Sequence, residues 1–399
     1  MVVPFLDLKR QYEELRAEIE PVVIDVLRGG AYIGGKYVEA FESEMRKYLG
    51  VKHVVSCANG TDALIIALHA CGVQPGDEVI TSPFSFFATA EAIAVIGATP
   101  VFVDVKDSDY NIDPARIEAK ITPKTRALLP VHIFGQPCNL DAIRRIAKEH
   151  SLCAIEDAAQ AIGSEYKGKK IGVTDAFACF SFYPTKNLGA FGDAGMLTTD
   201  NDDLAIIAKA LCEHGMGSNG AKARELLYGV RDEFSTTASP DPLYNPYKYY
   251  NYVVGYNSRL DALQAAILSV KLKHLDEYNE KRRKIAAMYG EGLGDIVKTP
   301  APQPMNQSKS CYHQYAICTE KKDALGEFLA KRGIGTGAFY PVPLHLQKAF
   351  SGFRYRKGSF PAAESLSRKT VCLPIFPELS EDEVKAVIQA VRDFVREQA

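Results

Sequence analysis

HVVSCANGTDALIIALHACG, residues 53–72, runs from an apolar stretch into a helix-like one across an Asn-Gly pair. HVVSCA reads as a strand ending at Cys57, a tight turn follows at Asn59-Gly60, and Thr61 opens a helix. The pattern repeats outward as far as Thr199. DEVITSP, TPVFVDV, ALLPVHIF, LCAIEDA, FACFSFY and AGMLTTD read as further strands. FATAEAIAVIG and LDAIRRIAKEH read as helices between some of them. Strands alternating with helices predict an α/β fold with a mainly parallel, seven-stranded, helix-covered sheet. Ligands bind such a sheet at the carboxyl ends of its strands.

On either side the pattern changes. Asp7 to about Arg28 carries apolar residues near helical spacing and predicts an opening amphipathic helix. From Gly215 to about Asn251 no regular period survives; Gly, Pro, Tyr and Ser dominate, and a long functional loop is expected. Arg259 to about Gly290 reads as one long helix with Leu260, Leu263, Ile267, Val270 and Leu275 on its apolar face. Residues 291–399 mix strand-like and helical pieces, the pattern of a smaller α+β domain. They end on the amphipathic SEDEVKAVIQAVRDFV, where Ser380 and Glu383 form a capping box. The expected division is 1–255 for an N-terminal arm and large domain, and 256–399 for a connecting helix and small domain.

The chain's 399 residues, too many for one small core, agree with that division. Hydrophobic residues make up 47% and charged residues 24%, the balance of an ordinary globular protein. A net charge of −2 points to no nucleic-acid partner. No run of eighteen apolar residues occurs, and the start turns charged within ten residues. No membrane span or signal segment is therefore expected, and the expected location is cytoplasmic. Nine cysteines, odd in number and without C-x-x-C, read as reduced thiols rather than disulfides or a metal site.

Four features bear chemistry. The turn at Gly60-Thr61 presents helix N-terminal N–H groups and a hydroxyl to an anion, although an ordinary capped helix would look the same. Glu156 and Asp157 end an apolar strand where the binding crevice should lie; a structural carboxylate is the alternative. Gln160 follows three residues on. In CFSFYPTKNLGAFGDAG, residues 179–195, Ser181 precedes a loop shaped by Pro184, Gly189, Gly192 and Gly195, and Lys186 sits at its centre. A lone lysine is usually a surface lysine, but one of lowered pKa forms a Schiff base readily with an aldehyde. The fourth feature is the aromatic run SPFSFFATA. A phosphorylated, cationic, flat aldehyde would use all four, which describes pyridoxal 5′-phosphate (PLP).

ANGTDAL, SPFSFFATAEAI, VFVDV, IEDAAQAIG, SFYPTKNLGAFGDAG and GYNSRLDALQAAIL, in this order and spacing, resemble the DegT-type nucleotide-sugar aminotransferases, PLP enzymes of fold type I. The resemblance extends from PFLDL to FYPVPLHLQ. It implies that Lys186 forms the Schiff base and moves the proton, and that Asp157 pairs with the pyridine nitrogen. It further implies that Gln160 contacts the ring hydroxyl and that Phe86 stacks on the ring, with Phe87 as the alternative in register. Gly60, Thr61 and Ser181 would hold the phosphate, and Asn257 would reach the phosphate of the neighbouring subunit in a homodimer with shared sites. Arg259, Tyr312, His313, Tyr315, Tyr340 and His345 match positions that line the substrate pocket. The implied chemistry is ping-pong: L-glutamate leaves as the 2-keto acid, and a UDP- or dTDP-linked keto sugar takes the nitrogen. Asp193 in GDAG resembles the 3-aminating group, whereas 4-aminating relatives more often carry GEGG. Thr185 stands where several relatives have Gly or Ser.

Alternatives differ in what they require. Amination at C4, or of an aminocyclitol or aromatic precursor, would use the same residues. A silent regulator on the same fold predicts loss of Lys186 or Asp157, and both are present. The dehydratase branch of the family has histidine in place of the lysine. A Rossmann oxidoreductase wants G-x-G-x-x-G after the first strand, and SCANGTDAL lacks it.

Overall fold

The computed structural model describes residues 2–231, 250–301, 307–353 and 355–398. Its sequence-expected strands are β1 (His53–Cys57), β2 (Glu78–Thr81), β3 (Thr99–Phe102), β4 (Thr125–Leu129), β5 (Cys153–Asp157), β8 (Phe177–Ser181) and β9 (Gly195–Thr199). Between β5 and β8, β6 (Glu165–Tyr166) and β7 (Lys169–Lys170) form a small hairpin. The seven strands make one sheet in the order β1-β9-β8-β5-β4-β2-β3. Only β9 runs antiparallel to its neighbours; the other pairs are parallel.

Both faces of this sheet are buried, which is why its strands read as apolar runs rather than as alternation with polar residues. Along β8, Ala178 and Phe180 enter one core with Met196 and Leu128, whereas Phe177 and Cys179 enter the other with Leu197 and Ile155. The second core is capped by α3 (Gly60–Ala70), α4 (Ala88–Val95) and α6 (Asp202–Cys212). The first core is covered by α2 (Lys36–Leu49), α5 (Leu140–Glu149) and α8 (Ala262–Leu272). α1 (Leu8–Gly29) packs on α8; Asp7 caps it, its carboxylate accepting from the N–H groups of Lys9 and Arg10.

A third core gathers Val3 from the start of the chain with Tyr289, Tyr315, Leu373, Phe376, Val387 and Phe394. It lies among α9 (Leu275–Leu293), α10 (Lys322–Lys331) and α12 (Glu381–Glu397), on a sheet of β11 (Tyr315–Cys318) and β12 (Thr370–Leu373). β10 (Ser308–Lys309) extends the hairpin, and α11 (Pro361–Lys369) precedes β12. The capping box at Ser380 and Glu383 is formed, and Glu383 also pairs with Arg10 of α1 at 2.7 Å.

Three expectations change. Residues 215–251 are not irregular throughout: α7 (Gly217–Tyr228) occupies the first part. Its sequence, GSNGAKARELLY, has two glycines and no apolar stripe, so periodicity does not reveal it. Gly220 is required by packing, because a Cβ there would meet the Gly215 carbonyl oxygen at 2.0 Å. The rest of that segment, 232–249, lies outside the described residues. Second, the helix expected from Arg259 to Gly290 is two helices. At Lys273 and His274 the backbone N–H groups turn to Val270 and Lys271, a tightened last turn that ends α8 before α9 begins. Third, α2 was not anticipated.

Candidate active site

The carboxyl ends of β1, β5 and β8 converge with the first turn of α3. Asp157, the last residue of β5, is buried. Its Oδ2 accepts a hydrogen bond from Thr89 Oγ1 at 2.7 Å, and its Oδ1 accepts from Ala159 N–H at 3.2 Å. Ser85 hydrogen-bonds Thr89 in turn, at 2.7 Å. Burial raises the Asp157 pKa, against the lowering pull of Thr89, the Ala159 N–H and Lys186. Glu156, one residue earlier, points to the opposite face and binds His132 at 3.1 Å and Arg144 at 2.7 Å. Strand alternation thus separates the two carboxylates: Glu156 braces the core and Asp157 faces the crevice.

Lys186 sits on the loop between β8 and β9 and is partly buried. Burial lowers its pKa to about 8, with Asp157 and Cys311 pulling the other way. At neutral pH a useful fraction is therefore free amine, the form that attacks a carbonyl carbon. The loop is closed on itself, since a Cβ at Gly189 would fall 2.3 Å from the Pro184 carbonyl oxygen. Next to Lys186, Asn187 donates through Nδ2 to Asn279 Oδ1 (2.8 Å) and to the Cys311 carbonyl (3.0 Å). Its Oδ1 is left to accept from His313 Nδ1 at 3.1 Å. That assigns the Nδ1–H tautomer to His313 and leaves Nε2 as an acceptor. Burial, Lys186 and Arg282 together keep this histidine well below its ordinary pKa.

Gln160 is fixed at both ends: Oε1 accepts from Phe134 N–H at 2.7 Å and Nε2 donates to Tyr340 Oη at 2.8 Å. Tyr340 lies 6.2 Å from the Phe86 ring, which is 57% exposed. Phe87 instead stacks on Phe350 at 5.2 Å. Of the two candidates in SPFSFFATA, Phe86 is the ring that faces open space. At the turn, Asn59 caps α3 by accepting from Asp62 N–H at 2.8 Å. A Cβ on Gly60 would lie 2.6 Å from Ser181 Cβ, so the first turn of α3 and the end of β8 touch with no side chain between them. Ser258 Oγ accepts from Ala58 N–H and donates to Asp62 Oδ2 at 2.7 Å, bracing the same turn.

The structure does not gather every candidate. Tyr315 is buried in the third core against Tyr289, 5.1 Å between ring centres. His345 is buried with Glu364 at 3.1 Å and Phe360. Tyr315 also lies 6.2 Å from the Tyr312 ring, whereas the contacts described for His345 are with Glu364 and Phe360. Tyr312, at φ +45°, and His313 sit beside the Lys186 loop. Asn257 is exposed and Arg259 partly exposed, next to the buried Ser258. Thr89, Asn187, Asn279 and Ser258 were missed. Thr89, Asn187 and Ser258 stand inside quoted motifs, and a hydroxyl or amide there has no distinguishing local signal.

These residues fit PLP. An anion-binding helix start with no room for a Cβ, a buried carboxylate, an exposed aromatic ring and an amine of lowered pKa match its phosphate, ring nitrogen, ring face and aldehyde. Gly60→Ala is expected to leave the protein folded but weaken PLP binding roughly tenfold to a hundredfold, the ~1–3 kcal/mol of overpacking against Ser181. A PLP titration followed by absorbance measures it; unchanged affinity would remove Gly60 from the phosphate site.

Residues 13–392 match the DegT/DnrJ/EryC1/StrS aminotransferase family. A pleiotropic regulatory protein of Geobacillus stearothermophilus is 46% identical over 99% of each chain. A dTDP-3-amino-3,4,6-trideoxy-alpha-D-glucose transaminase of Streptomyces venezuelae is 41% identical over 98% of this chain and 96% of its own. The crystal structure of ntda from Bacillus subtilis, with bound cofactor PMP, superposes with a TM-score of 0.85 at 30% identity, covering 99% of this chain and 85% of that one. This chain accordingly belongs to the DegT/DnrJ/EryC1/StrS aminotransferase family and is a PLP-dependent sugar aminotransferase of fold type I.

Proposed function

We propose that the chain transfers the amino group of L-glutamate to the C3 keto carbon of a dTDP- or UDP-linked sugar, by a ping-pong reaction in a cytoplasmic homodimer with shared sites. The observation that carries the transferase reading is the paired Lys186 and Asp157, an amine of lowered pKa facing a buried carboxylate across one crevice. Amination at C3 is supported by the Streptomyces relative, which is named for a 3-amino sugar. The Geobacillus relative is named as a regulator. An intact Lys186 and Asp157 favours catalysis here, because a purely regulatory role needs neither.

PLP, when bound, supplies an aldehyde that carries the amino group and a cationic ring that accepts electrons. The residues divide the remaining work. Asp157, held by Thr89 and Ala159, keeps the ring nitrogen protonated. Lys186 carries the proton at the substrate α-carbon, for which a pKa near neutrality is suited. Gly60, Thr61 and Ser181 hold the phosphate, Phe86 covers one face of the ring, and Gln160 meets the ring hydroxyl. His313, whose Nε2 accepts from Gln314 Nε2 at 3.4 Å, stands beside the substrate, with Tyr312, Tyr340 and Arg259 around it. Asn257, exposed on its own subunit, reaches the partner's phosphate. Exposed apolar side chains at Ile24, Leu27, Tyr183, Phe191 and Val254 support such an association. The location is supported by nine free cysteines. Among the described residues no helix is long and apolar enough to cross a membrane.

The test is the absorption spectrum of the PLP-loaded protein before and after L-glutamate. The amino-loaded protein is then challenged with 3-keto and 4-keto sugar nucleotides and with a keto-cyclitol. Spectral conversion by glutamate, followed by transfer to the 3-keto sugar, is expected. Transfer to the 4-keto sugar or the cyclitol alone would replace the acceptor, and no response to glutamate would replace the donor.

A further inference from the structure

Lys271 is 3% exposed, and among the described residues no carboxylate lies within ion-pair distance of it. Burying an unpaired ammonium is expensive, and an apolar side chain of the same length would pack there at lower cost. What Lys271 does instead is donate to the buried carbonyl of Gly189 and lie over the Phe191 ring, 5.3 Å from its centre. Its place in the last turn of α8 offsets part of the cost, since that end of a helix attracts cations. Burial lowers its pKa to about 8, opposed by Glu378.

About two turns earlier on the same helix, Gln264 accepts from Phe191 N–H through Oε1 at 2.8 Å. Its amide also lies against Gly192, where an added Cβ would be 3.2 Å from Nε2. Two side chains of α8 thus grip consecutive parts of the loop that carries Lys186. The other side of the loop is gripped by α9, through Asn279 and Asn187. Gly189 in turn abuts Pro184, and Lys186 N–H bonds back to Tyr183 at 2.8 Å. A displacement at Gly189 therefore passes directly to the backbone that holds Lys186.

We propose that Lys271 and Gln264 are positioning residues that set the depth of Lys186 in the crevice, and through it the reactivity of its amine. The proposal rests on Lys186 being the reactive lysine, but its test does not require turnover. In the cofactor-free protein, the rate of Lys186 acylation by acetic anhydride is followed against pH by mass spectrometry. Hydrogen exchange of the 186–191 amides is followed alongside. The charged and titratable groups facing Lys186 are Asp157 from β5 and Cys311 and His313 from the segment before β11; Glu378 faces Lys271. In Lys271→Met and Gln264→Ala, faster exchange over 186–191 is expected, with the acylation midpoint moved up toward that of an exposed lysine. Lys271→Arg, which keeps a donor for Gly189, is expected to restore both. In the PLP-loaded protein kcat is expected to fall roughly tenfold or more with KM little changed, as for a misplaced catalytic group. Wild-type exchange and an unmoved midpoint in both Lys271→Met and Gln264→Ala would overturn the proposal. If Lys271→Met does not fold, Gln264→Ala, which buries no charge, decides by the same two readings. A loss of transamination with Lys186 reactivity unchanged would fault the assigned reaction rather than the positioning.

Discussion

Lys186→Ala is expected to lower turnover by at least about 10³-fold, because a positioned proton carrier alone is worth about 10²–10⁴ and the covalent link is lost as well. The protein should remain folded. Among the described residues the Lys186 ammonium makes no hydrogen bond, and the loop is held by Asn187, Gly189 and Phe191 instead. Removing a partly buried cation whose pKa is drawn down to about 8 also removes a desolvation cost. The variant should therefore bind PLP and melt no lower than the parent. Steady-state transamination and thermal unfolding check the two halves. Parent-like turnover would strip Lys186 of its role, and an unfolded variant would mean the loop depends on the side chain itself.

Asp157→Asn is expected to retain PLP and lose activity by about 10²–10³-fold, the scale of removing one preorganised electrostatic partner from a buried site. Asparagine keeps one oxygen to accept from Ala159 N–H and turns its Nδ2 toward Thr89 Oγ1, which then accepts instead of donating, and it cannot keep the ring nitrogen protonated. The same substitution makes a prediction with opposite sign for stability. Burial raises the folded-state pKa of Asp157, so its contribution is fully present below the unfolded value and lost as pH rises through the folded one. Without cofactor, the Asn variant should therefore melt higher than the parent at neutral pH. The difference should shrink toward zero as pH falls to about 4, near the ordinary Asp pKa. Melting curves of the cofactor-free proteins across that range test it. A difference independent of pH would mean that Asp157 is not the group responsible, and near-normal turnover would remove it from the mechanism.

Residues 53–199 are readable because each strand is short, mostly apolar and followed by a turn, and because burial on both faces leaves its mark on most strand residues. The seven expected strands are the seven in the sheet, and Lys186, Asp157, Gly60 and Ser181 fall at its carboxyl edge. Reading failed where local pattern and tertiary demand diverge. α7 has no apolar stripe, yet it packs on α6, and its first turn closes onto the Gly215 carbonyl because Gly220 has no Cβ. The break between α8 and α9 interrupts a continuous apolar face at Lys273 and His274, and the period alone passes through it. Tyr315 and His345 lie in motifs that resemble pocket positions, and both side chains are buried, Tyr315 against Tyr289 and His345 against Glu364.

Strand, turn and helix order, and with them the place of the reactive lysine and its carboxylate, follow from interactions between near neighbours: capping, alternation and the stereochemistry of glycine turns. The support for those two residues does not. Thr89 and Asp157 are 68 positions apart, Lys271 and Gly189 82, and Asn187 and Asn279 92. Each is a single polar contact inside a desolvated interior, where an unmet donor or acceptor costs more than most packing errors. Such a contact has no period and no local composition, so it comes into being only when the sheet and the helices α4, α8 and α9 have closed around it.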